Sequence, residues 1–117
     1  MLDHVSFSVN DYAESREFYD ETLKLLGYEV IMSFELEEQN VAGYGANGKP
    51  SFWIGSESNP NKEEIIGKAR GLHIAFSAPN VEAIKSWYKK SLELGGIDNG
   101  TPGPRPEYHP GYYAAFI

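Results

Sequence analysis

The sequence has 117 residues, no cysteine, and 17 acidic against 10 basic side chains. A chain of this length can bury one core, and the lack of thiols excludes disulfides, thiolate metal sites and a cysteine nucleophile. The formal net charge of -7 repels phosphate backbones and anionic membranes, so we expect neither nucleic acid nor a membrane as a partner. Because the sequence shows no basic leader and no long apolar run, we expect a cytoplasmic protein.

The first predicted elements are a strand and a helix. In residues 4–9, apolar side chains alternate with His and Ser, which is the period-two pattern of a strand with two unlike faces. Asn10-Asp11 with Glu14 is a helix start signal, and Gly27 is a stop signal. The apolar stripe between them comprises Phe18, Tyr19, Thr22, Leu23 and Leu26. The helix is therefore predicted to cover the Val/Phe face of the strand and to leave the His/Ser face open.

Three more strands are predicted at residues 28–34, 40–46 and 51–55. The dipeptide Asn47-Gly48 between the last two indicates a two-residue hairpin turn. Residues 56–70 are polar and are interpreted as a connector with one helical turn at residues 63–68. The first unit is thus a βαβββ unit.

The sequence repeats itself at an offset of 69 residues, and seven positions between 2 and 28 are identical to their counterparts. The identical pairs are His4 with His73, Phe7 with Phe76, Ser8 with Ser77, Tyr19 with Tyr88, Leu23 with Leu92, Leu25 with Leu94 and Gly27 with Gly96. So many matches without a gap indicate two copies of one unit. The two histidines are therefore predicted to occupy equivalent positions on helix-free faces.

The second copy predicts a strand at residues 73–78, a helix from Asn80 to Gly95-Gly96, a loop at 95–110 and a strand at 111–117. Its helical stripe is Val81, Ile84, Trp87, Tyr88 and Leu92. A counterpart of the strand at 51–55 would fall at 120–124, so the last strand of this repeat is absent from this chain. Either the chain is shortened relative to the natural gene product, which we favour, or a partner subunit fills the open edge.

The predicted fold is α+β and forms a single domain over residues 1–117. Repeat one covers residues 1–55, the connector 56–70 and repeat two 71–117. The two βαβββ repeats are expected to form a concave mixed sheet with the helices on its outer face. The inner face would then carry the two histidines.

Four segments of the sequence resemble the vicinal oxygen chelate superfamily, which includes glyoxalase I, bleomycin-resistance proteins and extradiol dioxygenases. They are Asp-His-Val-Ser-Phe-Ser-Val, Phe-Tyr-Asp-x-x-Leu-x-x-Leu-Gly-Tyr, Gly-Leu-His-Ile-Ala-Phe and Tyr-His-Pro-Gly-Tyr-Tyr-Ala-Ala-Phe. The resemblance covers nearly the whole chain. It implies paired βαβββ units around a pocket, but it does not name a substrate, because this scaffold hosts several chemistries.

In metal-using members of that superfamily, the first and fourth strands of each unit supply one ligand each to a divalent ion. The resemblance carries the first-strand pair over to His4 and His73. The fourth-strand position of repeat one matches Trp53, which cannot coordinate a metal, and that of repeat two lies in the strand absent from this chain. Two neutral imidazoles suit Zn, Ni, Fe or Mn, but two ligands alone hold an ion poorly.

Candidate contacts for a small-molecule substrate come from a proline-stiffened loop and from aromatic strand residues. The loop at residues 105–112 is expected either to form a pocket wall or to be a solvated connector. Trp53 and Tyr113, with Tyr44, are expected either to line the pocket or to pack in the core. The candidate substrate-binding residues are Trp53, Arg105, Tyr108, His109 and Tyr113. No catalytic residue is assigned.

The leading functional hypothesis is a glyoxalase- or dioxygenase-type enzyme, a lyase or dioxygenase whose divalent metal polarises vicinal oxygens of a small-molecule substrate. The alternative is a metal-free protein of the bleomycin-resistance type that sequesters an aromatic or cationic compound in the same pocket. The third hypothesis is a structural subunit whose open sheet edge recruits a partner. The sequence does not decide whether catalysis occurs. We expect a homodimer.

Overall fold

The structure is a computed structural model that describes residues 2–35, 37, 39–56 and 72–117. The strands are β1 Val5–Val9, β2 Glu29–Glu35, β3 Asn40–Ala46, β4 Lys49–Ser56, β5 Gly100–Pro104 and β6 Tyr113–Phe116, and the α-helices are α1 Tyr12–Leu23 and α2 Val81–Glu93. The predicted α+β class is confirmed. Of the predicted connector at 56–70, only Ser56 is described, at the end of β4; the helical turn expected at 63–68 lies outside the described residues.

Four strands of the first unit form a mixed sheet in the order β1-β4-β3-β2. β1 runs parallel to β4, while β3 is antiparallel to both β4 and β2. The turn between β3 and β4 is the predicted one, with Asn47 at φ 54 and Gly48 at φ 75. Positive φ at both positions is what a two-residue hairpin of the right twist requires. The βαβββ prediction for this unit is therefore confirmed.

The helix α1 begins and ends at the predicted signals and covers one face of this sheet. Asp11 caps it by accepting a hydrogen bond from the backbone N–H of Glu14 at 2.9 Å. After a 3₁₀ turn at Lys24–Leu26, Gly27 adopts φ 88 and stops the helix. The buried apolar core lies between helix and sheet and comprises Val9, Leu23, Leu26, Ala42, Tyr44, Phe52 and Ile54. Burial of these side chains is the main force that holds helix and sheet together.

A polar cluster fastens α1 to the sheet at the edge of this core. Tyr44 is 1% exposed and donates its phenolic hydrogen to Asp20 Oδ1 at 2.9 Å. Arg16 donates from Nε to both carboxylate oxygens of Asp20, at 2.8 and 3.0 Å. Tyr44 therefore lies on the helix-covered face and packs in the core, which is the second of the two alternatives that the sequence left open for it. The cause is the alternation of side chains along β3, which turns Tyr44 away from the helix-free face of the sheet.

The helix α2 repeats the local design of α1. Asn80 caps it by accepting from the backbone N–H of Ala83 at 2.9 Å, and Gly95 ends it at φ 92. Two members of its predicted stripe, Val81 and Leu92, are 39% and 38% exposed. Neither described helix is long and apolar enough to cross a membrane.

The predicted loop at residues 95–110 is wrong in part, because Gly100–Pro104 forms β5. This strand pairs antiparallel with β6 in a two-stranded sheet. Its sequence, Gly-Thr-Pro-Gly-Pro, indicates a loop, yet prolines are tolerated in an edge strand, where the missing N–H faces no neighbour. β6 is also shorter than the predicted 111–117 and covers Tyr113–Phe116.

Residues 73–78 show the predicted alternation but join no described sheet. Ile74, Phe76 and Ala78 pack against the core, while the side chains between them are exposed. The periodicity of this segment was predicted correctly, and its pairing was not. A segment forms a strand of a sheet only when another strand lies beside it, and no described strand pairs with residues 73–78.

Candidate functional site

The helix-free face of the four-stranded sheet is a surface of small side chains around one large aromatic. The register places Ser6, Trp53, Gly43 and Met32 in one cross-strand row and Ser8, Gly55, Val41 and Phe34 in the next. Opposed residues of neighbouring strands point to the same face. This face, carrying Trp53 and those two rows, is called the open face below.

On the open face, the indole of Trp53 lies flat on the α-carbon of Gly43. A Cβ built on Gly43 would lie 2.8 Å from each of three alternate carbons of the six-membered ring. Equal distances to alternate atoms mean that the ring is centred face-on over this position. Gly43 does not have a positive φ, so its lack of a side chain serves close approach and not backbone conformation.

The nearest neighbours of Trp53 in the sheet have small side chains or none. Its direct neighbours across the ladder are Ser6 and Gly43, and Gly55 follows in the next row. Farther out on β2, Met32 and Phe34 are 44% and 51% exposed. A half-buried indole on a floor of small residues, with apolar side chains at its margin, can stack a planar ligand.

His4 lies exposed just before β1, next to two charged residues. Its Nδ1 is 3.0 Å from Asp3 Oδ1, and Asp3 Oδ2 accepts from Lys49 Nζ at 2.8 Å. The hydrogen bond from Lys49, followed by that from His4, lowers the pKa of Asp3. When Nδ1 of a neutral imidazole donates to a carboxylate, Nε2 keeps its lone pair and is free to accept a proton or a metal.

His73 lies in a different environment, in the lining of a cavity of about 690 Å³. The ring is exposed and contacts Phe116, with ring centroids 6.0 Å apart. The cavity lies between the two units and is lined by residues 72–78, by Ile84 and Trp87 of α2, by Asn99 and residues 112–117, and by five residues of the first unit, Phe7, Phe18, Tyr19, Leu26 and Phe52. Of the residues predicted for the site, the structure brings His73 and Tyr113 to this cavity, whereas His4 and Trp53 are not part of its lining.

The predicted loop at residues 105–112 is a compact connection between β5 and β6. Arg105 donates from Nη2 to the carbonyl oxygen of Thr101 at 2.8 Å, and its guanidinium lies 5.7 Å from the ring centroid of Phe116. Tyr108 and His109 both pack edge-on against Tyr112, with centroids 5.2 and 4.9 Å apart. Neither Arg105, Tyr108 nor His109 lines the cavity. Arg105 contacts residues of the β5–β6 hairpin, whereas Tyr108 and His109 are exposed.

The described residues do not supply a complete donor set for a divalent ion. Within 2–35, 37, 39–56 and 72–117, no three His, Asp or Glu side chains come together in a way that suits a metal. His4 and His73 each offer one imidazole, and the indole of Trp53 has no lone pair to donate. A stable site for Zn, Ni, Fe or Mn needs at least one more ligand. The described residues therefore do not fit the metal centre that the resemblance implies.

Sequence reasoning missed three participants of the open face, namely Gly43, Met32 and Phe34. A glycine in a strand is a signal of close backbone approach, so Gly43 carried a usable hint. The side on which Met32 and Phe34 lie depends on a β-bulge, since the register shifts between Val30 and Met32. No sequence pattern marks that bulge.

Comparison with known proteins places this fold in a family. The model of the Glyoxalase/Bleomycin resistance protein/Dioxygenase superfamily matches residues 1–116. The chain belongs to this superfamily, which confirms the resemblance found in the sequence. No curated protein shows significant similarity to the chain.

Solved structures of similar fold include a glyoxalase/bleomycin resistance protein from Albidiferax ferrireducens, at 24% identity and a TM-score of 0.62, covering 90% of this chain and 81% of that one. Glyoxalase I from Zea mays is 18% identical with a TM-score of 0.56, over 88% of this chain and 37% of that enzyme. UcmS2 is 18% identical with a TM-score of 0.51, and the match covers 91% of this chain and 83% of UcmS2. At these identities the likeness shows the fold alone.

Proposed function

We propose that the protein binds a planar aromatic or cationic small molecule on the open face and sequesters it without a metal. The observation that carries this proposal is the indole of Trp53 lying flat on Gly43, with one ring face supported by backbone. An aromatic ring held in this way is pre-ordered, so a ligand that stacks on it pays little conformational entropy. Bleomycin-resistance proteins are one branch of the superfamily to which the chain belongs.

Charge supports a cationic ligand over an anionic one. The chain carries a formal net charge of -7, which attracts cations to its surface. Within the site, a cation over the face of an indole gains a further electrostatic attraction. Arg16 and Arg105, the described arginines, are both engaged, with Asp20 and with the β5–β6 hairpin respectively. The preference should therefore run from aromatic cation to neutral aromatic to aromatic anion.

The test is a binding series with planar dyes of matched size that carry a positive charge, no charge or a negative charge. Isothermal titration should give the tightest binding for the cation, and binding should weaken as salt is added. Trp53→Ala should lose that affinity, whereas Trp87→Phe, a change in α2, should keep it. If Trp53→Ala binds the cationic dye as well as the parent chain does, the proposed site is wrong.

The metal-dependent enzyme of the glyoxalase type stays a second candidate. Its support is that His4 and His73 occupy equivalent repeat positions and are both exposed. For the metal ion that such an enzyme needs, the described residues supply only two imidazoles. Titration with Zn²⁺, Ni²⁺ or Mn²⁺, followed by the NMR signals of the two rings, tests it directly. Joint perturbation of both rings, lost in His4→Ala and in His73→Ala, would favour the enzyme.

Three further predictions belong to the same proposal. Tyr108, His109 and Tyr113 are proposed as outer contacts of a ligand that extends from the open face, while Arg105 is proposed to stabilise the β5–β6 hairpin. A homodimer is proposed, and light scattering over a range of concentrations tests it. A cytoplasmic location is proposed as well, and fractionation of cells that express the chain tests it.

A further inference from the structure

The two outer strands of the open face carry side chains of opposite chemistry. On β1, Ser6 and Ser8 belong to the two cross-strand rows, and on β2 the same rows end in Met32 and Phe34. Ser6 is exposed, and so are Met32 and Phe34. The open face is therefore polar along its β1 margin and apolar along its β2 margin.

The apolar margin reverses the usual distribution of side chains in a half-covered strand. Ser33 opposes the buried Ala42 and thus lies on the helix-covered face, whereas Met32 and Phe34 on either side of it point to the open face. An antiparallel strand with one solvated face normally directs apolar side chains to the core and polar ones to water. Two large apolar side chains exposed in adjacent rows form a patch that favours contact with a ligand.

The polar margin follows the usual distribution. Phe7 packs against the core, and Ser6 and Ser8 on either side of it lie on the open face. Taken alone, these serines are ordinary for a strand of this kind. Opposite an apolar margin, however, they give the open face a direction from β1 to β2.

The indole of Trp53 lies between the two margins, nearer to the apolar one. Its ring is centred over Gly43 of β3, and β3 is next to β2 but two strands away from β1. Because neighbouring strands are about 4.8 Å apart, the ring centre is about 5 Å from β2 and about 10 Å from β1 across the sheet. A ligand stacked on the indole therefore meets β2 with groups attached directly to its ring. It reaches β1 only through a spacer.

We infer that the open face binds its ligand in one orientation, and that this ligand is an amphiphilic aromatic cation. It carries alkyl groups on one edge of the ring system and a hydrogen-bonding group on a short spacer at the opposite edge. The inference rests on the proposed function and adds to it the polarity and direction of the ligand. The alkyl edge packs against Met32 and Phe34, and the hydrogen-bonding group reaches Ser6. A serine hydroxyl both donates and accepts, so an alcohol, an amine or an amide suits this end.

The test uses four dyes that share one planar cationic ring system. The first is unsubstituted, the second has an alkylated edge, the third has a hydroxyl group on a short spacer, and the fourth has both substituents on opposite edges. In the parent chain, the alkyl edge should raise the affinity by about fivefold. The hydroxyl group should raise it by about threefold. Isothermal titration measures both gains.

Two variants separate the margins. Phe34→Ala should lose the gain from the alkyl edge and keep the gain from the hydroxyl group, whereas Ser6→Ala should do the reverse. Both residues are exposed, so urea unfolding should show that both variants remain folded. Gains that are the same in the parent chain and in both variants would overturn the inference.

Two matched controls remove the same groups elsewhere. Ile97→Ala truncates an apolar side chain that is 81% exposed and lies outside the open face. Ser33→Ala removes a hydroxyl group from the other face of β2. Both controls should keep both gains. Loss of either gain in its control would assign that gain to the surface in general and would contradict the inference.

The orientation itself is measured on the complex with the fourth dye. Nuclear Overhauser effects should connect the alkyl edge with the Phe34 ring and the Met32 methyl group, and the spacer with the β-protons of Ser6. The reverse pattern, or both patterns together, would overturn the inference. If the unsubstituted dye binds through Trp53 without the crossed pattern of gains, the inference alone is wrong. If none of the four dyes binds, the proposed function is wrong as well.

Discussion

Thr22 and Ser91 occupy the same position in the two repeats, and both side chains are fully buried at 0% exposure. They differ in their hydrogen bonds. Thr22 Oγ1 donates to the carbonyl oxygen of Phe18 at 2.7 Å, one turn earlier in α1. Ser91 Oγ has no hydrogen-bond partner in the described part of the chain. The repeat has kept a buried hydroxyl at this site in both copies, although only one of them is paired.

This difference predicts opposite effects of removing the two hydroxyl groups. A buried hydroxyl without a partner costs free energy, so Ser91→Ala should raise the free energy of unfolding by about 1 kcal/mol. Thr22→Val keeps the shape of the side chain and loses its hydrogen bond, so it should lower that free energy by about 1 kcal/mol. Urea unfolding of both variants checks the prediction. A loss of stability in Ser91→Ala would show that its hydroxyl is paired after all.

The contact between Trp53 and Gly43 predicts that one added methyl group disturbs the open face. Gly43→Ala should displace the indole, shift the fluorescence of Trp53 and weaken binding of an aromatic cation by about tenfold. Gly55→Ala is the control, because a Cβ at Gly55 meets its nearest atom at an ordinary 3.7 Å. Equal binding by the two variants would contradict this prediction, because it would show that the position of the indole does not control the affinity for the ligand.

The face of the sheet on which Trp53 lies could not be predicted from the sequence. The turn at Asn47-Gly48 was predicted, and extending its pairing without interruption would oppose Trp53 to Ala42, on the helix-covered face. In the structure the register shifts between Tyr44 and Gly45, so Trp53 opposes Gly43 instead. A one-residue shift exchanges the two faces of a strand, and the bulge that causes it has no reliable sequence signal.

The elements themselves were predictable because their signals are local. The caps Asp11 and Asn80, the stop at Gly27 and the alternation in residues 73–78 all depend on nearby residues. The pairing of residues 73–78 and the strand at Gly100–Pro104 depend on which distant segment lies alongside. The local sequence does not indicate which distant segment that is, because tertiary contacts override local preference in strands.

The buried phenol of Tyr44 predicts a loss of stability in alkaline solution. Burial, and then the hydrogen bond to Asp20, raise the pKa of Tyr44 above its ordinary value of 10.0. The folded state thus holds the phenolic proton more tightly than the unfolded chain does. Its contribution to stability is complete below about pH 10 and is lost as the pH rises further. Burial also raises the pKa of Tyr19, which acts in the same direction.

Tyr44→Phe isolates this effect. The variant should be less stable at neutral pH by about 1 kcal/mol, because the hydrogen bond to Asp20 is lost. Above about pH 10 its stability should fall less steeply, by up to about 1.4 kcal/mol per pH unit. Urea unfolding over a series of pH values measures both quantities. An unchanged alkaline slope in Tyr44→Phe would assign the effect to another group.

Arg105 gives the last prediction, because its contacts favour a structural role in the β5–β6 hairpin. Its guanidinium donates to the carbonyl oxygens of Thr101 and Pro104 and lies over Phe116. Arg105→Ala should speed hydrogen exchange at the amide of Asn99, which closes the hairpin onto Phe116. Arg105→Lys should restore little of that protection, since an ammonium group reproduces neither the planar fork nor the stacking.

In the same loop, Glu107→Ala is the matched control, because Glu107 is exposed. Both alanine variants should bind an aromatic cation within about twofold of the parent chain, which is a difference of about 0.4 kcal/mol in binding free energy. If Arg105→Ala instead loses affinity while exchange at Asn99 is unchanged, the guanidinium contacts the ligand. The loop at residues 105–112 would then be a wall of the binding site, as one of the two sequence-based hypotheses holds.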